Sequence, residues 1–385
     1  MDEMSERQLR NLLVRANRAI RQDRPPFPEY TNSRLRTYTA ATGHARETVR
    51  MYQFWFRTRG CTYDRAGQCS MCNYGIGPEI DPRRIVRSVR RRLAEVPEGA
   101  HIYLSPSGSL LDDLEVSPGL REQLLRQVAE RRPALFAFES RPEVFTEEKL
   151  DVLRTLLPDT QIVGQVGVES WNPEVRSLCH LKPTPQKAYL NAARMLQEAG
   201  FASIANLTLG AMGLSQKEAY DDTLAGIRDA RAAGYTTQMV FPLSAKSGTL
   251  LGWAHEQGMW EPPTLWMLVR LLARTADDKA RDDEAGDLSI SWFAPVIDEV
   301  VRSRPDGCDR CRPAVYEALN EFRDYPRAEK LAEIAGWDGC DCPRRTAELL
   351  SGDSDAQRDF RSRLRRIAAR WTELHMSATP VASPS

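Results

Sequence analysis

Arg59-Gly60-Cys61-Thr62-Tyr63-Asp64-Arg65-Ala66-Gly67-Gln68-Cys69-Ser70-Met71-Cys72-Asn73-Tyr74 is the stretch on which the reading of this chain turns. It follows Val49-Arg50-Met51-Tyr52-Gln53-Phe54-Trp55-Phe56, a run rich in strand formers that leads into a glycine-containing loop. Cubane iron–sulfur sites are normally completed by four cysteines, so three thiolates on one loop leave one iron open to a substrate or cofactor. Four-cysteine zinc modules also begin with C-x2-C, but they need a second pair, and no further cysteine lies near this trio. Disulfides are not expected, because the start Met1-Asp2-Glu3-Met4 is polar and charged and carries no export signal.

Outward from that loop, strand-like and helix-like segments alternate. Residues 101–104, 134–138, 161–168, 203–209 and 236–241 read as strands. Residues 81–95, 117–131, 146–157, 184–199 and 215–233 read as the helices between them. With the strand before Cys61 this makes six β/α units, which predicts an α/β fold: a partial (βα)6 TIM-type barrel with chemistry at the carboxyl ends of its strands. Ser5 to Arg21 alternate apolar and basic positions at helical spacing until Pro25-Pro26-Phe27-Pro28 breaks them, so residues 1–48 form an N-terminal helical extension. The barrel spans 49–245 and its extension 246–306, with 253–279 mainly helical and 288–293 a further strand candidate. A cysteine-rich metal module covers 307–350, and 351–385 holds an amphipathic helix over 356–373 and a disordered tail.

Composition narrows the function classes. At 385 residues the chain has room for one large domain with additions, or two to three smaller ones. Lysine plus arginine equals aspartate plus glutamate, 53 each, which argues against a whole-chain electrostatic grip on nucleic acid. The arginine run within 83–92 reads as a solvated helix face. No apolar run reaches the length of a membrane-spanning helix. Eight cysteines without an export signal predict a reducing, cytoplasmic setting, where thiols serve metals or catalysis.

A second cysteine group, Cys308-Asp309-Arg310-Cys311 with Cys340-Asp341-Cys342, fits a tetrahedral four-thiolate site, most often zinc. An auxiliary iron–sulfur cluster is the competing identity. Cys179 reads as an inert thiol, while His180 and Lys182 fall near the expected active rim. Trp253, Trp260 and Trp266 read as helix packing.

The remaining polar motifs fall at strand ends. They are Ser105-Pro106-Ser107-Gly108-Ser109-Leu110-Leu111-Asp112, Glu139-Ser140-Arg141-Pro142, Gly167-Val168-Glu169-Ser170 and Asn206-Leu207-Thr208-Leu209-Gly210-Ala211-Met212-Gly213. Together with the cysteine loop they would converge on one rim. On these residues the chain resembles the radical S-adenosylmethionine (radical SAM) superfamily, and within it the archaeosine-biosynthesis family related to the elongator catalytic subunit. The chain departs from the pattern in two places. Cys61 and Cys69 are separated by seven residues where three is commonest, and Leu209 to Leu214 replaces a Lys-Pro-Pro type stretch.

The resemblance implies that Cys61, Cys69 and Cys72 hold a [4Fe–4S] cluster whose open iron binds S-adenosylmethionine (SAM). It further implies SAM contacts at Ser107, Gly108, Ser109, Glu139, Glu169, Ser170, Gly210 and Gly213, and an external electron donor of flavodoxin or ferredoxin type. The cofactor carries the radical chemistry, while the protein binds and orients it. The departures around 209–214 and the neutral charge favour a small-molecule substrate in a biosynthetic pathway, with a transfer-RNA nucleoside as the alternative. Transfer of a 3-amino-3-carboxypropyl group, or a non-enzymatic zinc-stabilised binding protein, are the further readings.

Overall fold

The alternating pattern becomes a curled parallel sheet in a computed structural model of the protein, which describes residues 4–22, 34–42, 45–281, 287–290, 301–324, 328–351 and 359–376. A long helix, α1 (Glu6–Gln22), comes first. The strands β1 (Arg34–Thr42) and β2 (Ala45–Trp55) pair antiparallel, and the one-turn α2 (Thr62–Arg65) lies in the cysteine loop. The repeating units follow as α3 (Pro82–Leu93), β3 (His101–Ser105), α4 (Pro118–Ala129), β4 (Leu135–Ser140), α5 (Glu147–Leu156) and β5 (Gln161–Glu169). They continue as α6 (Gln186–Glu198), β6 (Ala202–Leu209), α7 (Gln216–Ala232) and β7 (Thr237–Pro242). Beyond them lie β8 (Ala245–Lys246), α8 (Leu250–Glu256), α9 (Leu265–Arg281), β9 (Asp287–Ile290), β10 (Val301–Ser303), α10 (Arg312–Asp324), α11 (Ala328–Ala335), α12 (Cys342–Ser351) and α13 (Phe360–Met376).

The helix starts are written into the chain. Asp81, Ser117, Thr146 and Ser215 each accept a backbone N–H of the first turn, Pro82 and Pro118 occupy the tolerated first positions, and Ser215 forms a reciprocal capping box with Glu218. In the sheet the order β1-β2-β3-β4-β5-β6-β7-β9 is that of the sequence, and every pair from β2 onward is parallel. Such sequential order, with a helix crossing over between each pair from β2 to β7, winds the sheet in one direction and gives a partial TIM barrel.

The two faces of the strands differ. Ile102, Leu104, Phe136, Phe138, Val166, Val168, Leu207 and Val240 face the helices and join Val89, Leu93, Leu124, Leu153, Leu196 and Ile227 in the main core. Met51, Tyr103, Leu135, Ala137 and Val163 form a smaller cluster on the inner face. Nearer the carboxyl ends the inner face turns polar, where Ser105 bonds Glu139 and Glu139 pairs in register with Gln165.

The six expected strands are β2 to β7, and the five expected helices are α3 to α7. The sequence reading missed β1 and began β2 four residues late. The expected helical stretch 253–279 is interrupted after Glu256, where Gly258, Pro262 and Pro263 separate α8 from α9. Trp260 and Trp266 are buried packing residues, as expected. Of the strand candidate 288–293 the described part lies in β9, while 291–293 and the tail 377–385 lie outside the described residues. Among the described residues no helix is long and apolar enough to cross a membrane.

Phe138, fully buried between Phe136 and Phe145, carries the wall between sheet and helices. Phe138→Ala should cost about 3–5 kcal/mol in denaturant unfolding, against less than about 0.5 kcal/mol for Leu114→Ala at an exposed position.

Candidate active site

The cysteine loop leaves β2 at the carboxyl end of the sheet and folds around one carboxylate. Asp64, with no exposed surface, accepts the N–H of Gly75 and pairs with Arg21 of α1. Burial nevertheless pushes its pKa up to about 6, against the opposing pull of Arg21. Ser70 fastens the other end of the loop, its Oγ donating to Cys179 O at 2.6 Å and its N–H to His180 O at 3.1 Å. Cys69 and Cys72 are hydrogen-bonded to each other. That bond and burial push the Cys69 thiol well up, while the same bond holds Cys72 down. Burial, and then Glu115, push Cys61 up to about 12.

Positive charge acts on each of the three sulfurs. Arg141 Nη1 lies 3.9 Å from Cys61 Sγ, the charge of Lys182 acts on Cys69, and those of Lys246 and Lys182 act on Cys72. Arg141 also joins the cysteine loop to the Ser-Gly-Ser turn. Its guanidinium donates to Thr62 Oγ1 and Glu115 Oε1 at 2.6 Å each, pairs with Asp112, reaches Glu143 at 2.9 Å and covers the Tyr63 ring at 4.3 Å. Glu115 accepts from Thr62 N at 2.8 Å and Ser109 N at 2.6 Å, and a side chain at Gly108 would overlap it.

The expected SAM contacts are placed unevenly. Ser107 is buried with Oγ on Phe56 O at 2.9 Å, and Ser109 Oγ accepts from Arg141 N at 3.0 Å, so both hydroxyls serve the turn itself. Glu139, on the inner face, accepts from Ser105 Oγ at 2.6 Å and Tyr103 OH at 3.1 Å, and burial raises its pKa. Glu169 closes β5 at a register shift with φ +62° and forms a buried ion pair with Lys182. Ser170 points to the helix side, its Oγ donating to Asp222 at 2.9 Å. A side chain at Gly210 would meet Pro263 at 2.9 Å and one at Gly213 would meet Leu364 at 2.8 Å, so both glycines pack against protein. His180 is fully buried, shares a 3.2 Å hydrogen bond with Thr208 Oγ1, and is driven down to about 3 by burial.

Backbone strain gathers at the same rim. Of the five non-glycine residues with positive φ among the described residues, four are Cys69, Ser107, Glu169 and Leu181. Such conformations cost of order 1–3 kcal/mol each and persist where surrounding contacts over-determine them.

The second cysteine group also comes together. The sulfurs of Cys308, Cys311, Cys340 and Cys342 all lie within 4.8 Å of one another, with Cys308 and Cys311 at 3.7 Å. Trp266 of α9 donates its Nε1–H to Cys311 Sγ at 3.4 Å, which fixes the group to the main core. This set can hold a metal ion.

Sequence reasoning missed Asn17, Arg21, Asp64, Glu115 and Lys246, and quoted Arg141 without giving it a role. A signal existed for two of them, since Asn17 and Arg21 continue the buried stripe of Leu9 and Leu13 at four-residue steps. Polar side chains on an apolar helix face need partners, and here the partners are the cysteine loop.

The resemblance noted in the sequence is borne out by similarity to known proteins named archaeosine synthase subunit beta. No protein-family model matches the chain. The archaeosine synthase subunit beta of Methanosarcina acetivorans is 24% identical over 303 residues, covering 77% of this chain and 83% of that protein. That of Thermococcus kodakarensis is 28% identical over 228 residues, covering 56% and 68%. Among solved structures, Methanocaldococcus infernus Elp3 with an N-terminal deletion aligns at 17% identity and a TM-score of 0.46, over 63% of this chain and 58% of that one.

Asp222 provides a test of the electrostatics behind the site. Burial raises its pKa from 3.8 to about 6, so the folded state holds a proton that the unfolded chain releases. Its contribution to stability is therefore full below about pH 4 and falls as pH rises to about 6. Asp222→Asn should raise the melting temperature relative to the parent more at pH 7 than at pH 4, as followed by circular dichroism.

Proposed function

We propose that this enzyme holds a [4Fe–4S] cluster on Cys61, Cys69 and Cys72 and cleaves SAM reductively, starting radical chemistry by hydrogen abstraction from a small molecule in a biosynthetic pathway. The observation that carries this reading is three thiols on one loop at the carboxyl ends of a parallel half-barrel, with Arg141 Nη1 3.9 Å from Cys61 Sγ. The donor set fits the cluster, because only thiolates ligate and Arg141, Lys182 and Lys246 offset their charge. Held on Cys61, Cys69 and Cys72, a [4Fe–4S] cluster would supply the one electron needed to cleave the sulfonium C5′–S bond of SAM into methionine and a 5′-deoxyadenosyl radical.

The chain's own residues bind, orient and exclude water. Ser107, Gly108 and Ser109 form a turn held from behind by Glu115 and Arg141, and it presents backbone to SAM. Glu139 offers a carboxylate to ribose hydroxyls or to the ammonium. Glu169 holds Lys182, whose charge acts on Cys69, and Ser170 anchors that strand end to Asp222. Gly210 and Gly213 shape the next loop by packing on Pro263 and Leu364. Raised pKa values at Cys61 and Cys69 mean that loading the site releases protons, so cluster uptake should weaken as pH falls.

Support for a small substrate comes from the inner face, where the polar groups lie inside the sheet's curl, and from zero net charge. The similarity to proteins named archaeosine synthase subunit beta supports a second reading, modification of a nucleoside in transfer RNA together with a partner subunit. An RNA substrate would bind with an affinity that falls steeply with salt, and a metabolite would not. We further assign the C-terminal cysteines to one zinc ion, since a tetrahedron of 2.3 Å Zn–S bonds sets sulfurs about 3.8 Å apart. The thiol-rich make-up fits a reducing cytoplasm and a flavodoxin- or ferredoxin-type donor.

Anaerobic reconstitution should give a brown protein with about four irons at the first site, and dithionite should release 5′-deoxyadenosine from SAM. The triple variant Cys61→Ala, Cys69→Ala, Cys72→Ala should lose both. SAM cleavage by that variant, measured by chromatography of the nucleoside product, would sink the ligand assignment. Methylthioadenosine in place of 5′-deoxyadenosine would show aminocarboxypropyl chemistry.

The C-terminal site separates in the same experiment. The triple variant should keep one zinc per chain by elemental analysis, while Cys340→Ser with Cys342→Ser should lose it and unfold at a lower temperature.

A further inference from the structure

The helix α1 supplies no cysteine and precedes the barrel in sequence, yet its buried polar side chains end on the carbonyls of the cysteine loop. Asn17 Nδ2 donates to Gly67 O at 2.8 Å and to Cys69 O at 3.2 Å. Arg21 Nη2 donates to Cys69 O at 2.9 Å and Cys72 O at 2.6 Å, while its Nη1 reaches Asp64 O at 2.6 Å. One guanidinium nitrogen therefore bridges the main chain of two of the three thiol-bearing residues.

Cys69 is also the residue whose backbone is left-handed, with φ +80°. A β-carbon disfavours that conformation, and in Cys69 the carbonyl receives both α1 donors. Both donors are themselves fixed, Asn17 by accepting Leu250 N at 3.0 Å and Arg21 by its pair with Asp64. From the loop side Gly67 permits the approach. At its φ of +76° a side chain would meet Val14 O at 2.9 Å and Arg18 Cβ at 3.1 Å.

We propose that α1 belongs to the cluster site, with Arg21 and Asn17 as positioning residues that hold Cys69 in its left-handed conformation and so set the Cys69–Cys72 ligand pair. The inference rests on the proposed cluster and adds that its retention depends on residues 48 and 52 positions away from Cys69. Arg21 acts through backbone carbonyls, so its loss alters the geometry of the ligands without removing one.

The test uses the full chain, reconstituted anaerobically with iron and sulfide, as wild type, Arg21→Gln, Arg21→Lys, Asn17→Ala, Gly67→Ala and Arg15→Ala. The readouts are iron per chain, the rate of iron loss to a chelator, and the electron paramagnetic resonance spectrum of the reduced cluster. Thiol-reagent labelling of Cys69 in the apoprotein and thermal unfolding complete the set. Arg21→Gln, Asn17→Ala and Gly67→Ala should lose iron roughly tenfold faster or more, with shifted g values and faster labelling. Arg21→Lys should fall between, because a lysine keeps the charge but not the two-carbonyl reach. Arg15→Ala, exposed on the same helix, should match wild type. Folded Arg21→Gln or Asn17→Ala protein with wild-type iron loss and spectrum overturns the inference. If Arg21→Gln does not fold, Asn17→Ala and Gly67→Ala decide by the same criteria. A wild-type chain that takes up no iron overturns the proposed function and this inference with it, whereas uptake with indistinguishable variants overturns the inference alone.

Discussion

The strand-end architecture is organised by the buried ion pair between Arg21 and Asp64. Removing two charges from water costs several kcal/mol per ion, and the pair repays that only when its remaining hydrogen-bonding capacity is used. Here most of it is: the carboxylate also takes Gly75 N, and Nη1 and Nη2 of the guanidinium reach loop carbonyls, while Nε is buried with no hydrogen-bond partner. The pair thereby fixes a sixteen-residue stretch whose one regular element is the single turn α2, and in which main-chain carbonyls would otherwise lie buried and unsatisfied.

Around that pair, charge and strain sit on one side of the sheet. The helix-facing surface of β3 to β7 is mainly apolar and buried, so it fixes where each strand ends. The inner face carries carboxylates and their partners only near those ends, at Glu139 and at Glu169 with Lys182. Left-handed residues cluster there because the packed wall beneath can absorb the strain. Stability and reactivity are thus distributed along each strand, with the amino end serving the first and the carboxyl end the second.

Which parts of this were legible in the sequence follows from the distance over which the determining contacts act. The strands β3 to β7 were readable because each is an apolar run closed by local turn and cap signals. The cysteine motifs were readable because the spacing within each is local. By contrast β1, Arg34-Leu35-Arg36-Thr37-Tyr38-Thr39-Ala40-Ala41-Thr42, carries no continuous apolar run, and it is a strand because it pairs with β2. Arg141 and Glu115 meet across 26 residues, and Arg21 and Asp64 across 43, separations at which no sequence period exists to be found. Ser107 and Ser109 lay in a motif that was noticed, yet their hydroxyls turn inward, a direction set by the left-handed Ser107 and invisible to composition.

The two sulfur groups show how the same residue type is put to different ends. At Cys308, Cys311, Cys340 and Cys342 the sulfurs crowd within 4.8 Å, a spacing that suits one ion and fills its coordination sphere. Closed in this way, and tied to Trp266, the group welds α10 and α12 to α9. At Cys61, Cys69 and Cys72 three thiols lie on one loop beside the Ser-Gly-Ser turn, with Arg141 Nη1 3.9 Å from Cys61 Sγ. On the proposed reading three thiolates would leave one corner of a four-iron cube open, and nearby positive charge would lower the cost of gathering negative charge where water is scarce. The first arrangement would then leave a metal nothing further to do, and the second would leave it one position to use.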